Sequence, residues 1–418
     1  MGFLRHFLLF MVMPATSMAA VADWSSLISA AKSRHPELRA MREEEEAAQA
    51  TASAAWGGYL PSVSLFADRQ RAENRTSVLG VDTTTALTTD SEGVKVTWNL
   101  FKGFSTFGQI RRARALALGA KAGVGHTWLT VQTDLRKAYD AALLAAESAR
   151  VYEGLQKRYR DQVKVIEAKY RSGLEAQWAV ELARSNLLFV EATLNAEKLN
   201  LARSLETLGR LTGENYEGVR PDARFEKSPQ PKRPAFRVEE HPRWRQAEAE
   251  ERVATAEVTV ARASFLPSLD LSWQNGRARP EGQDPATQTS YNLTLSYAIF
   301  EGFSGWNNAS AARARARAAE IRLDESRKSL SEEEDQLWRQ LDVNRQLLAA
   351  REGALRGARA YAETTSLQYR LGARKFAEWD TAQSRLLDAE RDFLAARRLW
   401  LTSYADWEKA AGLNGESL

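Results

Sequence analysis

Few side chains in this chain are equipped for chemistry. It has four histidines, His6, His35, His126 and His241, and no cysteine. That composition excludes disulfides, thiolate zinc sites, cysteine nucleophiles and a lipid attached through an N-terminal cysteine. His35 and His241 each precede a proline, where packing at a helix start is the plainer role. Glu43 to Glu46 form a run of four carboxylates. With no histidine nearby in sequence, the run describes a solvated helix face better than a metal site. Arginines cluster at 111, 112 and 114 and again at 313, 315 and 317. In an exported chain such clusters suit lipid phosphates rather than nucleic acid. H-E-x-x-H, G-x-S-x-G and phosphate-binding glycine loops do not occur. The residues therefore predict no enzyme, no cofactor and no metal, and function has to be sought in how the chain is shaped.

The chain has 418 residues and a formal net charge of +4, with 44% hydrophobic and 27% charged residues. Mean hydropathy is −0.45, which fits neither a bundle of transmembrane helices nor a disordered polymer. Nearly balanced charge argues against a dedicated nucleic-acid binder. At the N-terminus, Arg5 and His6 precede the apolar run Phe7 to Met13, and Ala20-Val21-Ala22 supplies a small-residue cleavage pattern. This is the layout of a signal peptide over 1–22, with a mature chain from Asp23. No later stretch approaches the roughly 20 apolar residues of a membrane-spanning helix.

The sequence repeats itself. His35-Pro36 recurs as His241-Pro242, and Tyr59-Leu60-Pro61-Ser62 as Phe265-Leu266-Pro267-Ser268, both 206 positions on. Phe101-Lys102-Gly103-Phe104-Ser105 recurs as Phe300-Glu301-Gly302-Phe303-Ser304, and Tyr170-Arg171-Ser172-Gly173 as Tyr369-Arg370-Leu371-Gly372, both 199 positions on. Four ordered blocks indicate an internal duplication, with one loop shorter by 7 residues in the second copy. Repeat one covers 23–218 and repeat two 241–418. The proline-rich 219–240 joins them as a linker.

Each repeat begins with an Ala/Glu/Arg-rich helical stretch, Trp24 to Trp56 in the first. The hydrophobic period then changes to two. Val63, Leu65 and Ala67 share a face, as do Val94, Val96, Trp98 and Leu100. In copy two the same holds for Leu269, Leu271 and Trp273, and for Tyr291 through Ile299. Strands are expected over about 61–72, 91–101, 267–276 and 289–300, with polar segments between the members of each pair. Four alternating strands of about ten residues have the dimensions of membrane β-strands. Tyr59, Phe101, Phe104, Phe265, Phe300 and Phe303 gather at the strand ends, as interfacial aromatics do. Four strands cannot close a barrel in lipid, so several chains must pool theirs. After each pair come 67 residues free of proline, 104–170 and 303–369, a helix of roughly 100 Å. A glycine-containing turn follows, then a second helix over about 176–211 or 376–411.

These blocks resemble the TolC-like outer-membrane factor family. The resemblance spans nearly all of the mature chain. Its most specific parts are Leu100-Phe101-Lys102-Gly103-Phe104 and Ile299-Phe300-Glu301-Gly302-Phe303, with the tips Tyr170-Arg171-Ser172-Gly173-Leu174 and Tyr369-Arg370-Leu371-Gly372-Ala373. It implies a mainly α protein with membrane β: a homotrimer with one 12-stranded β-barrel, four strands per chain, continuous with a periplasmic α-helical barrel. It implies a passive conduit of a tripartite efflux pump or type I secretion system, set in the cell outer membrane and extending into the periplasm. The partners it implies are a periplasmic adaptor (membrane fusion) protein, an inner-membrane transporter and outer-membrane lipid, with no nucleic acid. Adaptor docking falls on Gly173, Leu174, Gly372 and Ala373, and the gate on Tyr369, Arg374 and Glu378. The acid the family often places six residues after the first tip glycine is Ala179 here. Trp178, Phe376 and Trp379 beside the tips suit either adaptor docking or helix packing. From the residues alone, an exported coiled-coil adaptor or scaffold is the alternative; it accounts for the long helices but not for four matched strands.

Overall fold

The computed structural model describes residues 20–78, 81–228 and 232–413. The expected signal segment, apart from Ala20–Ala22, lies outside them. In chain order the elements are β1 (Ala20–Ala22), α1 (Trp24–Arg34), α2 (Pro36–Ala54), β2 (Ser62–Val78), β3 (Val81–Lys102), α3 (Ser105–Arg171) and α4 (Gln177–Thr212). They continue as β4 (Tyr216–Val219), α5 (Ala223–Lys227), α6 (Pro242–Arg262), β5 (Ser268–Pro280), β6 (Ala286–Ser296), α7 (Ser304–Arg370) and α8 (Phe376–Ala410). The helix–strand–strand–helix–helix order thus occurs twice, and α3 and α7 are 67 residues each.

Contacts divide the chain into two compact units. The first comprises residues up to Arg39, Thr127–Phe236 and everything from Glu332. Its main core joins Leu27 and Ala31 of α1, Leu135 and Tyr139 of α3, Leu208 of α4, and Trp400 and Trp407 of α8. The linker is threaded into this core rather than looping free. Phe225 of α5 is buried, and the Tyr139 hydroxyl donates to the Arg220 carbonyl. β1 lies parallel to β4, pairing Ala22 with Val219. The Arg220 amide donates to the Ala22 carbonyl at 2.9 Å, and Ala22 is buried in the core. Cleavage after Ala22, as the small-residue pattern suggests, would remove this strand.

A charged cluster lies inside the same unit. Arg136 donates to Asp140 at 3.2 Å and to Asp222 at 2.5 Å. Arg224 donates to Glu408 at 2.7 Å, and Asp222 caps α5 by accepting from the Phe225 amide at 2.9 Å. Burial pushes the Asp140 carboxyl up to about 6, against the pull of Arg136. Burial also pushes Asp222 upward, but the Arg136 hydrogen bond and charge outweigh it and hold that carboxyl below its usual range.

The second unit comprises Ala40–His126 and Arg237–Ser331. Its antiparallel sheet has the order β2-β3-β5-β6. Small residues bring helices together: a Cβ on Gly108 would meet Val260 of α6 at 2.7 Å. Arg112 and Glu257 then close an ion pair between α3 and α6 at 3.1 Å.

Several boundaries differ from the sequence expectation. The stretch from Trp24 divides at His35, because a residue before proline is driven out of the helical region. His35 has ψ 122. In the second copy His241 caps α6, its Nδ1 accepting from the Arg243 amide at 3.2 Å. The polar 73–90 is not a loop. β2 and β3 remain paired through it, as far as Val78 opposite Val81, since its many threonines favour extended strands. In copy two the loop is short, and β6 stops at Ser296, so Tyr297 and Ile299 lie past the strand.

Candidate functional site

Two regions carry the functional expectations, one in each unit. The first is the pair of helix turns. α3 ends in a turn whose Gly173 has φ +73, and α7 in one whose Gly372 has φ +78. In the first, the Gly173 amide donates to the Tyr170 carbonyl at 2.9 Å and the Leu174 amide to the Lys169 carbonyl at 2.9 Å. The second repeats the pattern, with Gly372 to Tyr369 at 3.1 Å and Ala373 to Gln368 at 2.9 Å. Both are left-handed glycine caps that satisfy the last carbonyls of a helix and reverse the chain. A Cβ on either glycine would touch nothing, so the positive φ alone requires glycine there.

The turns present apolar side chains to solvent. Leu174 and Leu371 are each 75% exposed. Leu174 was expected at the docking tip; Leu371 was not singled out, although an isolated leucine between Arg370 and Gly372 is itself a signal. Behind the turns lies an aromatic cluster. Phe376 and Trp379 stack at 5.8 Å, Tyr369 lies 6.4 Å from Phe376, and Tyr159 meets Trp379 edge-on at 5.6 Å. The Trp379 Nε1 donates to Ser366 Oγ at 3.1 Å. Phe376 and Trp379 therefore serve helix packing, while Trp178 remains 55% exposed.

The three gate candidates separate. Tyr369 is fully buried, with Lys169 Nζ 3.9 Å above its ring, and burial and Glu175 push its hydroxyl up to about 12. Arg374 pairs with Glu378 one turn away at 2.8 Å and donates to Gln368 Oε1 at 3.1 Å. Ala179, the position lacking the expected acid, is buried. Asp380, next to the tip helix start, accepts from Asn186 at 2.8 Å.

The second region is the sheet. Its register places Val63, Val96, Trp273 and Tyr291 in one row across all four strands, with Trp98, Leu271 and Leu293 in the adjoining row. Leu65 is 83% exposed and Tyr291 77%, so this apolar face is uncovered within the chain. The opposite face carries Ser64, Lys95, Gln274 and Ser290 in one row and Phe66, Gly93, Gly276 and Gln288 in the next. The glycines are needed where they are. A Cβ on Gly93 would come within 2.4 Å of the Asn275 carbonyl and 2.9 Å of the Phe66 ring.

The strand-to-helix turns repeat as closely as the tips. Gly103 and Phe104 both have positive φ, at 56 and 66, as do Gly302 and Phe303, at 60 and 64. Phe101 and Phe104 meet edge-on at 5.3 Å, Phe300 and Phe303 at 5.4 Å. Phe104, Phe300 and Phe303 are exposed, as are Tyr59 and Phe265. Trp98 Nε1 donates to the Tyr59 carbonyl at 2.9 Å. Aromatics thus ring the helix-side end of the apolar face. Among the described residues no helix is long and apolar enough to cross a membrane and no cluster has the make-up of a metal site.

A sheet with an uncovered apolar face and two 67-residue helices that end in glycine-capped tips make up a fold shared with solved outer-membrane channels. The model of the outer membrane efflux protein family matches twice, over residues 27–214 and 238–413, and the chain belongs to that family. Protein CyaE of Bordetella pertussis is 26% identical over 309 residues, which are 70% of this chain. The match spans 63% of the length of CyaE. Among solved structures, CusC superposes with a TM-score of 0.83 at 16% identity, covering 95% of this chain and 94% of that one. The outer-membrane channel OprN gives 0.81 at 19%, over 94% and 90%. The CmeC outer membrane channel of Campylobacter jejuni gives 0.79 at 16%, over 93% and 85%. The protein is thus a member of the outer membrane efflux family that has the fold of solved outer-membrane channels.

Proposed function

We propose that three copies pool their sheets into one 12-stranded barrel, and that the chain is the passive conduit of a tripartite efflux pump or type I secretion system. The observation that carries this reading is the sheet itself. β2 and β6 stand at its two edges, and its apolar face is exposed from Leu65 to Tyr291. Unpaired strand edges are not tolerated in hydrocarbon, and closed membrane barrels need about eight strands or more. Three chains of four strands satisfy both conditions, with the β2 edge of one copy meeting the β6 edge of the next. The row holding Lys95 and Gln274 then faces the lumen.

At the other functional region, the exposed Leu174 and Leu371 at glycine-capped turns, with Trp178 nearby in the first, offer a periplasmic adaptor apolar contacts. Ala373 lies beside them. The energy for transport comes from an inner-membrane transporter. Arg374 and Glu378 act at the constriction as a local pair. Tyr369 supports the tip from within the helix packing, through Lys169, Phe376 and Trp379.

Photocrosslinkers placed at Leu174 and Ala373 in cells test this, together with the oligomer mass in detergent. A periplasmic adaptor crosslinked to a trimer is the expected result. A monomer without an adaptor crosslink refutes the conduit.

A further inference from the structure

The apolar face of the sheet ends in charge. Following the register from the row of Val63, Val96, Trp273 and Tyr291 toward the hairpin turns, the next rows on the same face are Leu65, Val94 and Asn275, then Ala67, Glu92 and Arg277, then Arg69, Asp90 and Arg279. Side chains two residues apart on a strand share a face, so these arginines point the way Val63 and Tyr291 point. Arg69 is held by Asp90 through two hydrogen bonds of 2.6 and 2.8 Å. Arg277 and Arg279 form no ion pair among the described residues and are exposed. The residues of this patch line a groove of about 460 Å³. Asp68 shares the groove with Asp90 and Glu92, and Glu281 acts on Arg69, so what the patch offers an anion is the two guanidinium groups outside any ion pair rather than an excess of charge.

Height along the strand sets what the patch meets. From Leu269, at the aromatic end, to Arg277 is eight residues, about 26 Å along the strand, or roughly 20 Å along the membrane normal at a 40° tilt. The apolar band of such barrels is about 25 Å tall. Arg277 and Arg279 therefore emerge at the outward edge of the band, where their stems reach upward along the sheet and their guanidinium groups meet the head-group layer. Two guanidinium forks at that depth, neither closing an ion pair, match a phosphate in charge and geometry, although Arg279 also feels the charge of Asp90.

We propose that Arg277 and Arg279, braced by the Arg69–Asp90 pair, bind a phosphate of the outer-leaflet glycolipid on the lipid-facing side of the sheet. The site rests on the barrel reading above, so barrel assembly is scored separately. Detergent-purified protein is exchanged into micelles doped with bisphosphorylated lipid A, lipid A stripped of phosphate, or phosphatidylethanolamine, and retained lipid is counted by native mass spectrometry. Trimer mass and heat-modifiable migration report assembly in the same samples. Wild type is expected to retain bisphosphorylated lipid A selectively. Arg277→Gln with Arg279→Gln should weaken retention roughly tenfold or more, since each basic group at a membrane surface contributes measurably. Arg277→Lys with Arg279→Lys should keep most of it, and Lys95→Gln, on the opposite face, should change nothing. Equal retention by the glutamine variant, or equal retention of lipid A without phosphate, overturns the site while leaving the trimer intact. Displacement of the lipid by millimolar inorganic phosphate that binds as well in its place overturns the lipid assignment. Absence of any trimer refutes the barrel instead.

Discussion

Replacing Arg136 by methionine isolates what holds the linker in the first unit. Arg136 and Asp140 are each 4% exposed, and Arg136 also engages Asp222 at 2.5 Å. Methionine fills similar space and stays over the Trp24 ring, which Arg136 now covers at 4.8 Å. It leaves the buried Asp140 and the half-buried Asp222 without their shared guanidinium. Removing one partner of a buried pair costs about 3–5 kcal/mol, because the remaining charge keeps its desolvation penalty. The pH dependence follows from the two carboxyls. Asp140, already raised to about 6 by burial, favours its protonated form when folded. Its contribution is present below the ordinary carboxylate value and is lost as pH rises toward 6. Asp222, held low by Arg136, does the opposite and stabilises above that value. Without Arg136 both carboxyls move upward, so the whole defect grows with pH. Urea unfolding followed by tryptophan fluorescence, at about pH 4.5 and about pH 7.5, measures it. The expected loss is about 3 kcal/mol or more at the higher pH and clearly less at the lower. Adding Asp140→Leu and Asp222→Asn should restore much of it. A loss under about 1 kcal/mol, or one equal at both pH values, refutes the account of Arg136 as neutraliser of buried acids.

Gly93→Val puts a branched side chain against the Asn275 carbonyl and the Phe66 ring. Overpacking of this kind costs about 1–3 kcal/mol or more, and heat-modifiable gels should show less assembled oligomer, whereas Gly57→Ala, with open space around it, should assemble normally. Leu174→Glu with Leu371→Glu should leave oligomer mass unchanged and lower adaptor crosslinking from Ala373 severalfold; undiminished crosslinking removes the two leucines from the docking surface. N-terminal sequencing of protein purified from outer membranes should begin at or before Ala20, because β1 belongs to the core with Ala22 buried; a start at Asp23 would show that β4 does without its partner.

The repeated element order and the family are legible in the sequence because they rest on local signals. Gly103-Phe104 and Gly302-Phe303 sit in matching turns with matching dihedrals, and proline-free runs became helices of the expected length. What local signals missed was decided by pairing at a distance. The 73–90 segment looks like a loop by composition, yet β2 holds β3 in register across it. The proline-rich linker gave no sign that Asp222, Arg224 and Phe225 would be drawn into the core, because their partners Arg136, Glu408 and Arg397 lie 86, 184 and 172 positions away. At the tips, the family pattern marked Tyr369 as a gate residue. Whether a tyrosine at a helix end faces a lumen or a neighbouring helix depends on packing that spacing does not encode, and here Phe376 and Trp379 enclose it.

β2 and β3 outrun the other strands. Beyond Thr89 opposite Pro280 they continue alone for eight more pairs, a ribbon of about 27 Å, while β5 and β6 turn back. In the barrel proposed above, the part of the sheet that projects furthest from the helices is therefore this ribbon of the first repeat, and the second repeat has no counterpart to it among the described residues. The two repeats thus match at the strand-to-helix turns and part company at the opposite end of the sheet, where one carries a long stiff arm and the other a short turn.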